Sequence, residues 1–280
     1  MSLGGDHISR GARAVVTGAG SGIGRAFANE IHRRGGAVVC ADIDFVRAEE
    51  SAVAIRSEGG RAHAVQCDVS RIEEVEALAV AAEEFFGAPP SLIVNNAGVG
   101  VGGARIEDIS MDDWHWIMGV NLWGVVHGCH VFAPRLRSAG RGGIINVASA
   151  ASFGAAPMMG AYNATKAAVL SLSETLHAEM AGSGVRVAVL CPTFVKTDII
   201  RSSRIDDAVR SRAQTLMDRQ GMSCEAVAKA TLDGLDRGRI HVLPQVAARI
   251  GWLLKRLAPG LYTRGMGLAA RKIAPQARAR

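Results

Sequence analysis

The chain has 280 residues, 49% of them hydrophobic and 21% charged. That is an ordinary globular balance, which excludes disorder as the main state, and the length suits one large α/β domain or two smaller ones. The net charge is +6, but ten Lys/Arg and no acid lie between Arg237 and Arg280, so the chain before Arg237 carries a net −4. The basic character is local and gives a whole-chain nucleic-acid reading no support. The five cysteines (40, 67, 129, 191 and 224) show no CxxC and no ligand-like spacing with His. They read as reduced, buried filler, with neither a disulfide framework nor a metal site expected. The opening MSLGGDHISRG is polar, so no secretory leader is expected there and the expected location is cytoplasmic.

Taken in chain order, short apolar runs alternate with longer helical patterns. The strand-like runs are 14–17, 37–41, 62–67, 92–94, 144–147, 185–191 and 240–243. Helical stretches fall at 22–34, 46–57, 71–86, 112–138, 161–181 and 223–236. Strand, helix, strand at this spacing predicts βαβ units: a single doubly wound parallel sheet with helices on both faces. The runs are apolar throughout, as strands covered on both faces are. Between Asp113 and Arg135 no Asp, Glu, Lys or Arg occurs. That gap is close to the ~20 residues needed to span a bilayer. His115, Asn121, His127 and His130 within it favour a helix buried in protein. The stretch 198–222 is polar, without a strand signal, and reads as a surface helix or a mobile segment over a site.

After the first run comes Thr17-Gly18-Ala19-Gly20-Ser21-Gly22-Ile23-Gly24. Glycines at a strand-to-helix junction let a pyrophosphate approach free N–H groups at a helix N-terminus, where the helix dipole also favours an anion. A glycine-rich loop alone is a weak signal, and a generic turn remains an alternative. The second run, one helical stretch beyond this loop, leads into Asp42. A carboxylate there can accept both hydroxyls of an adenosine ribose and repels a 2′-phosphate. No base follows Asp42 directly, so NAD is expected over NADP; a plain turn residue is the alternative.

Tyr162 and Lys166 stand four apart, on one face of a helix. A free phenol titrates near ~10, and a neighbouring ammonium favours its phenolate, so the pair suits proton transfer. Ser149 lies upstream of them, at the end of a strand, where doubly wound sheets present ligands.

With these pieces in place, the chain resembles the short-chain dehydrogenase/reductase family over nearly its whole length. The resemblance rests on TGAGSGIG (17–24), CDV (67–69), NNAG (95–98), VNL with Asn121, NVAS ending in Ser149, YNATK (162–166) and CPTFVKT (191–197). It implies a Rossmann-type sheet of seven strands in the order 3-2-1-4-5-6-7. It implies Tyr162 as general acid/base, Lys166 as its partner and a hold on the nicotinamide ribose, and Ser149 as hydrogen-bond partner of the substrate oxygen. Asn121 would hold a water leading to Lys166. The cofactor contacts would come from Gly18, Ser21, Gly22, Ile23, Gly24 and Asp42, from Asp68 and Val69 at the adenine, from Asn95, Ala97 and Gly98, and from Pro192 and Thr197. The reaction implied is hydride transfer between NAD(H) and a secondary alcohol or ketone. The alternative of another class is an NAD-binding scaffold or regulator without turnover. Family members form dimers and tetramers through two long helices, here 112–138 and 161–181, so a homo-oligomer, a tetramer by preference, is expected. The family's usual Pro-Gly is replaced by Pro192-Thr193, which adds bulk at the nicotinamide end.

Around the pocket, Gly100–Gly103, Ala150–Phe153, Met158, Met159, Phe194 and 198–222 are expected, and their apolar members point to a bulky apolar substrate such as a steroid, terpenoid or acyl-chain alcohol. Residues 1–243 are read as the dinucleotide-binding domain and 244–280 as a basic helical extension. In 244–257, Val246, Ile250, Leu253, Leu254 and Leu257 share a helix face, with Arg249, Lys255 and Arg256 elsewhere. Such a helix suits either packing on protein or peripheral contact with an anionic membrane.

Overall fold

The seven apolar runs form seven parallel strands in a computed structural model of the chain, which describes residues 7–197, 199, 203–205 and 207–273. They are β1 (Arg13–Thr17), β2 (Ala37–Asp42), β3 (Ala62–Gln66), β4 (Leu92–Asn95), β5 (Gly142–Val147), β6 (Val185–Leu190) and β7 (His241–Val242). Their order in the sheet is β3-β2-β1-β4-β5-β6-β7, as expected. Every neighbouring pair is parallel; Val15 of β1, for example, stands opposite Val39 on one side and Ile93 on the other.

Period-two alternation divides the strand residues between two cores. Val16, Val38, Leu92, Ile145 and Leu190 face helices α1 (Gly22–Arg33), α2 (Phe45–Ser57) and α9 (Cys224–Asp236). Val15, Val39, Ile93, Ile144 and Val189 face α3 (Ile72–Phe86), α5 (Gly124–Ala139) and α7 (Gly160–Glu179). Both faces are covered, which is why neither shows a polar stripe in the sequence.

Three segments differ from the sequence reading. The long helix expected at 112–138 is α4 (Met111–Met118) and α5 joined by a π-helical turn, Gly119–Trp123. The segment 198–222 is neither simply a surface helix nor without strand. Arg204–Ile205 pairs in parallel with Val101–Gly102, and α8 (Asp207–Gln220) follows. Beyond β7, α10 (Val246–Leu257) was expected, and a further helix, α11 (Pro259–Ile273), follows it. The short α6 (Ala151–Gly154) lies under α10, with the Phe153 and Trp252 rings edge to face at 5.1 Å. Residues 274–280 of the basic extension lie outside the described residues.

Candidate active site

The C-terminal ends of the strands open onto a cleft of about 590 Å³. Ligands bind there in open parallel sheets because the strand order reverses beside β1 and leaves a crevice. Of the expected residues, Gly18, Ser21, Gly22, Ile23, Asp42, Asp68, Val69, Ala97, Gly98, Ser149, Tyr162, Lys166, Pro192 and Thr197 line this one cleft.

The glycine loop is tied in from three sides. Gly18 is left-handed (φ 63°), and a side chain there would press on the Ala97 backbone. Gly24 instead serves close packing: a Cβ on it would collide with the Gly18 carbonyl. It lies below the cleft wall. Asn96 clamps the loop by donating from Nδ2 to the carbonyls of Thr17 (2.9 Å) and Gly18 (3.2 Å). Asp42 accepts the Gly20 N–H at 2.8 Å and the Asp44 N–H at 3.1 Å, so its carboxylate is held in one orientation. Arg47 of α2 lines the same end, its Nε 3.3 Å from Asp44. It stands five residues beyond Asp42, in the first turn of α2, where distance from the strand end in sequence conceals it.

Asn95 does not line the cleft. It is the last residue of β4 and its side chain turns toward α5, where its Nδ2 donates to Asn146 at 2.8 Å and meets Cys129. The next residue, Asn96, takes the cleft side, as strand alternation requires. Asn121 is also buried beneath the wall. Its amide exchanges two 2.8 Å bonds with the backbone of Val99 and reaches Thr165 at 3.4 Å. The π-helical turn carries Asn121, and such turns mark functional positions in helices.

The Tyr–Lys pair sits on α7, with Lys166 buried and Tyr162 half-buried at the cleft. Lys166 Nζ donates to the Val147 carbonyl at 2.9 Å and lies 5.9 Å from the centre of the Tyr162 ring. Ser149 stands beside the Tyr162 hydroxyl in the cleft, and its Oγ accepts the Ala151 N–H at 3.2 Å. Burial governs both titrations. It raises Tyr162, with the Ser149 bond pulling the other way, and it lowers Lys166 to about 8. In the chain alone, desolvation thus outweighs the expected pull of the ammonium toward phenolate.

The cleft is further lined by Val99, Trp116, Val120, Thr193, Ile199 and Met217. Phe153, Met158, Met159 and Phe194 do not line it. Phe153 is covered by Trp252, and the Met158 carbonyl accepts the Gly103 N–H at 2.8 Å. The Arg204 guanidinium lies 4.1 Å from the Trp116 ring centre and 2.8 Å from Asp113, fastening the strap before α8 across α4. Among the described residues no three His, Cys, Asp or Glu side chains gather as metal ligands.

A family model described as "short chain dehydrogenase" matches residues 12–208. The chain belongs to the short-chain dehydrogenase/reductase family. It is 40% identical over 189 residues to "Probable oxidoreductase EphD" of Mycobacterium tuberculosis, covering 67% of this chain and 32% of that protein. The match thus spans about a third of that relative's length. It is 36% identical over 202 residues to D-threitol dehydrogenase of Mycolicibacterium smegmatis, covering 71% of this chain and 76% of the relative. Among solved structures, a short-chain dehydrogenase/reductase from Burkholderia phymatum in complex with NAD superposes with TM-score 0.85 at 36% identity, covering 91% of this chain and 96% of the other.

Proposed function

We propose that the protein moves hydride between NAD(H) and a secondary alcohol or ketone. The observation that carries this reading is one cleft holding Asp42 at one end and Ser149, Tyr162 and Lys166 at the other. The lining residues fit a dinucleotide: Gly18 and Gly22 present bare backbone to the cleft beside the α1 N-terminus. Gly18, Ser21, Gly22 and Ile23 would hold the phosphates, Asp42, Ala97 and Gly98 the adenosine ribose side, Asp68 and Val69 the adenine, and Lys166, Pro192 and Thr197 the nicotinamide half. When bound, the nicotinamide supplies or accepts the hydride. Asp42, fixed by two backbone donors, supports NAD over NADP.

The chain's own contribution is proton transfer and position. Oxidation needs the Tyr162 phenolate to take the alcohol proton; reduction needs the phenol to give one. Ser149 reaches the same oxygen by hydrogen bond. Lys166, when protonated, favours the phenolate. Asn121 positions the Val99 loop against α7. The apolar wall of Val99, Trp116, Val120, Ile199 and Met217 supports a bulky apolar substrate, although the threitol relative is named for a small polyol. Trp123, 52% exposed on the π-helical turn, supports assembly with further copies through the long helices.

The test is reduced-cofactor formation over secondary alcohols graded from polyols to steroid-sized, with NAD and NADP in parallel and Tyr162→Phe as control. Turnover with NAD, rising with substrate size and lost in the Tyr162 variant, is the expected result. Turnover led by NADP would overturn the cofactor reading. NAD binding without turnover on any alcohol would favour the scaffold reading.

A further inference from the structure

We infer that α10 and α11 form a docking face for an anionic lipid surface. This stands apart from the catalytic reading and does not depend on it. The first observation is which way α10 is turned. It meets the body of the protein through buried Ala248 and through Trp252, whose ring lies 5.1 Å from Phe153 and 5.0 Å from His241. The opposite face carries Val246, Ile250, Leu253, Leu254 and Leu257, all between 53% and 82% exposed. In an ordinary surface helix the apolar stripe faces the core. Here the stripe faces away.

The second observation is that α11 repeats the arrangement. Tyr262 turns inward, donating its hydroxyl to the Gly154 carbonyl at 3.1 Å. Leu261 (71% exposed) and Leu268 (60% exposed), two helical turns apart, share an outer face. Arg249 and Arg256 lie along one side of the apolar row of α10, Arg256 stacked 4.8 Å from the Trp252 ring centre, and Arg264 and Arg271 lie along one side of that of α11; all four are exposed. An outward apolar stripe edged by arginines is the pattern of helices that lie in a membrane interface.

Charge selects the occupant. The chain from Arg237 to Arg280 has ten cations and no acid. Tail against tail in a second copy would set two such segments together without a counter-charge. An anionic bilayer supplies the counter-charge continuously and attracts each Lys/Arg near it. The chain before Arg237 carries a net −4, which turns the body away from the same surface. Twelve residues make α10 about 18 Å long, too short to cross a bilayer core of about 30 Å, so it lies flat.

The experiment is co-sedimentation of the full chain with vesicles of phosphatidylcholine plus phosphatidylglycerol, against phosphatidylcholine alone. The comparison variant is Leu253→Glu/Leu254→Glu, whose side chains are exposed and lie outside the cleft. The expected result is pelleting at low salt with the anionic vesicles only, weakened by added salt. The variant should partition more weakly on the order of tenfold or more, with unchanged melting temperature. Failure to pellet at low salt, or equal pelleting by the variant, would overturn the proposal. A fall in the variant's solution mass without vesicles would assign the face to a second copy, and would overturn it too.

Discussion

Lys166 holds its ammonium-bearing side chain almost wholly out of water at the cleft floor, and its titration falls from 10.5 to about 8 as a result. A lysine whose folded value is depressed is protonated in both states below pH 8, and burying that charge opposes folding there. Between pH 8 and 10.5 the unfolded chain binds the extra proton, so this group makes stability rise with pH. Lys166→Met is therefore expected to stabilise the protein at pH 7 by about 2 kcal/mol while abolishing turnover. Chemical denaturation of the two proteins at pH 7 decides it; a destabilised variant would mean that the bond to the Val147 carbonyl outweighs desolvation. Asp42 gives a second test at this scale. Its carboxylate already serves two backbone donors, so Asp42→Ala removes repulsion of a 2′-phosphate but also loosens the loop. The ratio of kcat/KM values is expected to move toward NADP on the order of tenfold, about 1.4 kcal/mol. A fall with both cofactors at an unchanged ratio would reduce Asp42 to a turn residue.

At the scale of elements, α10 is tied to the cleft through the residue that precedes it. Gln245, just before it, accepts the Thr193 N–H at 3.2 Å and donates to the Phe194 carbonyl at 3.1 Å. Thr193 lines the cleft, so this side chain fixes cleft backbone without touching substrate. Gln245→Ala is expected to raise KM several-fold with kcat and melting temperature little changed. Trp252→Ala, which uncovers Phe153, is expected to cost about 2 kcal/mol of stability, read from the denaturation midpoint. If neither variant differs from the parent, the segment beyond Leu243 is dispensable for catalysis. These contacts also mark what the sequence discloses. The seven strands were legible because strands buried on both faces read as unbroken apolar runs. Tyr162 and Lys166 were legible because the helical repeat puts positions four apart together. The π-helical turn left no trace, since one extra residue in a turn changes no composition. Asn95 and Asn96 are adjacent and identical in type, and only the strand's end register decides which meets the cleft. Trp116, Ile199 and Met217 replaced Phe153, Met158, Met159 and Phe194 in the wall because loops, not periodicity, bring them there. Gly260, Gly265 and Gly267 hid α11 by diluting its helical pattern.

For the whole molecule, the cysteines make folding sensitive to alkali. All five are buried thiols. Burial raises Cys40, Cys67 and Cys191 to about 12 and Cys129 to about 11, from an ordinary value of 9.0. A thiol raised in this way stays protonated in the fold while its unfolded counterpart ionises. Above pH 9 the folded state then binds more protons than the unfolded one, and stability falls as pH rises. Each thiol contributes about 1.4 kcal/mol per pH unit in that range, so four together contribute on the order of 5 kcal/mol per unit. Lys166 opposes this with a single slope of about 1.4 kcal/mol per unit, and the thiols win. A domain of this kind has about 5–15 kcal/mol of stability in total. Denaturation under reducing conditions should therefore show a broad maximum near pH 8 and a steep loss by pH 10 or so, shallower in Cys40→Ala/Cys191→Ala. A flat profile from pH 8 to 11 would mean that the thiols meet water in the native state, and that the two cores are less closed than their packing indicates.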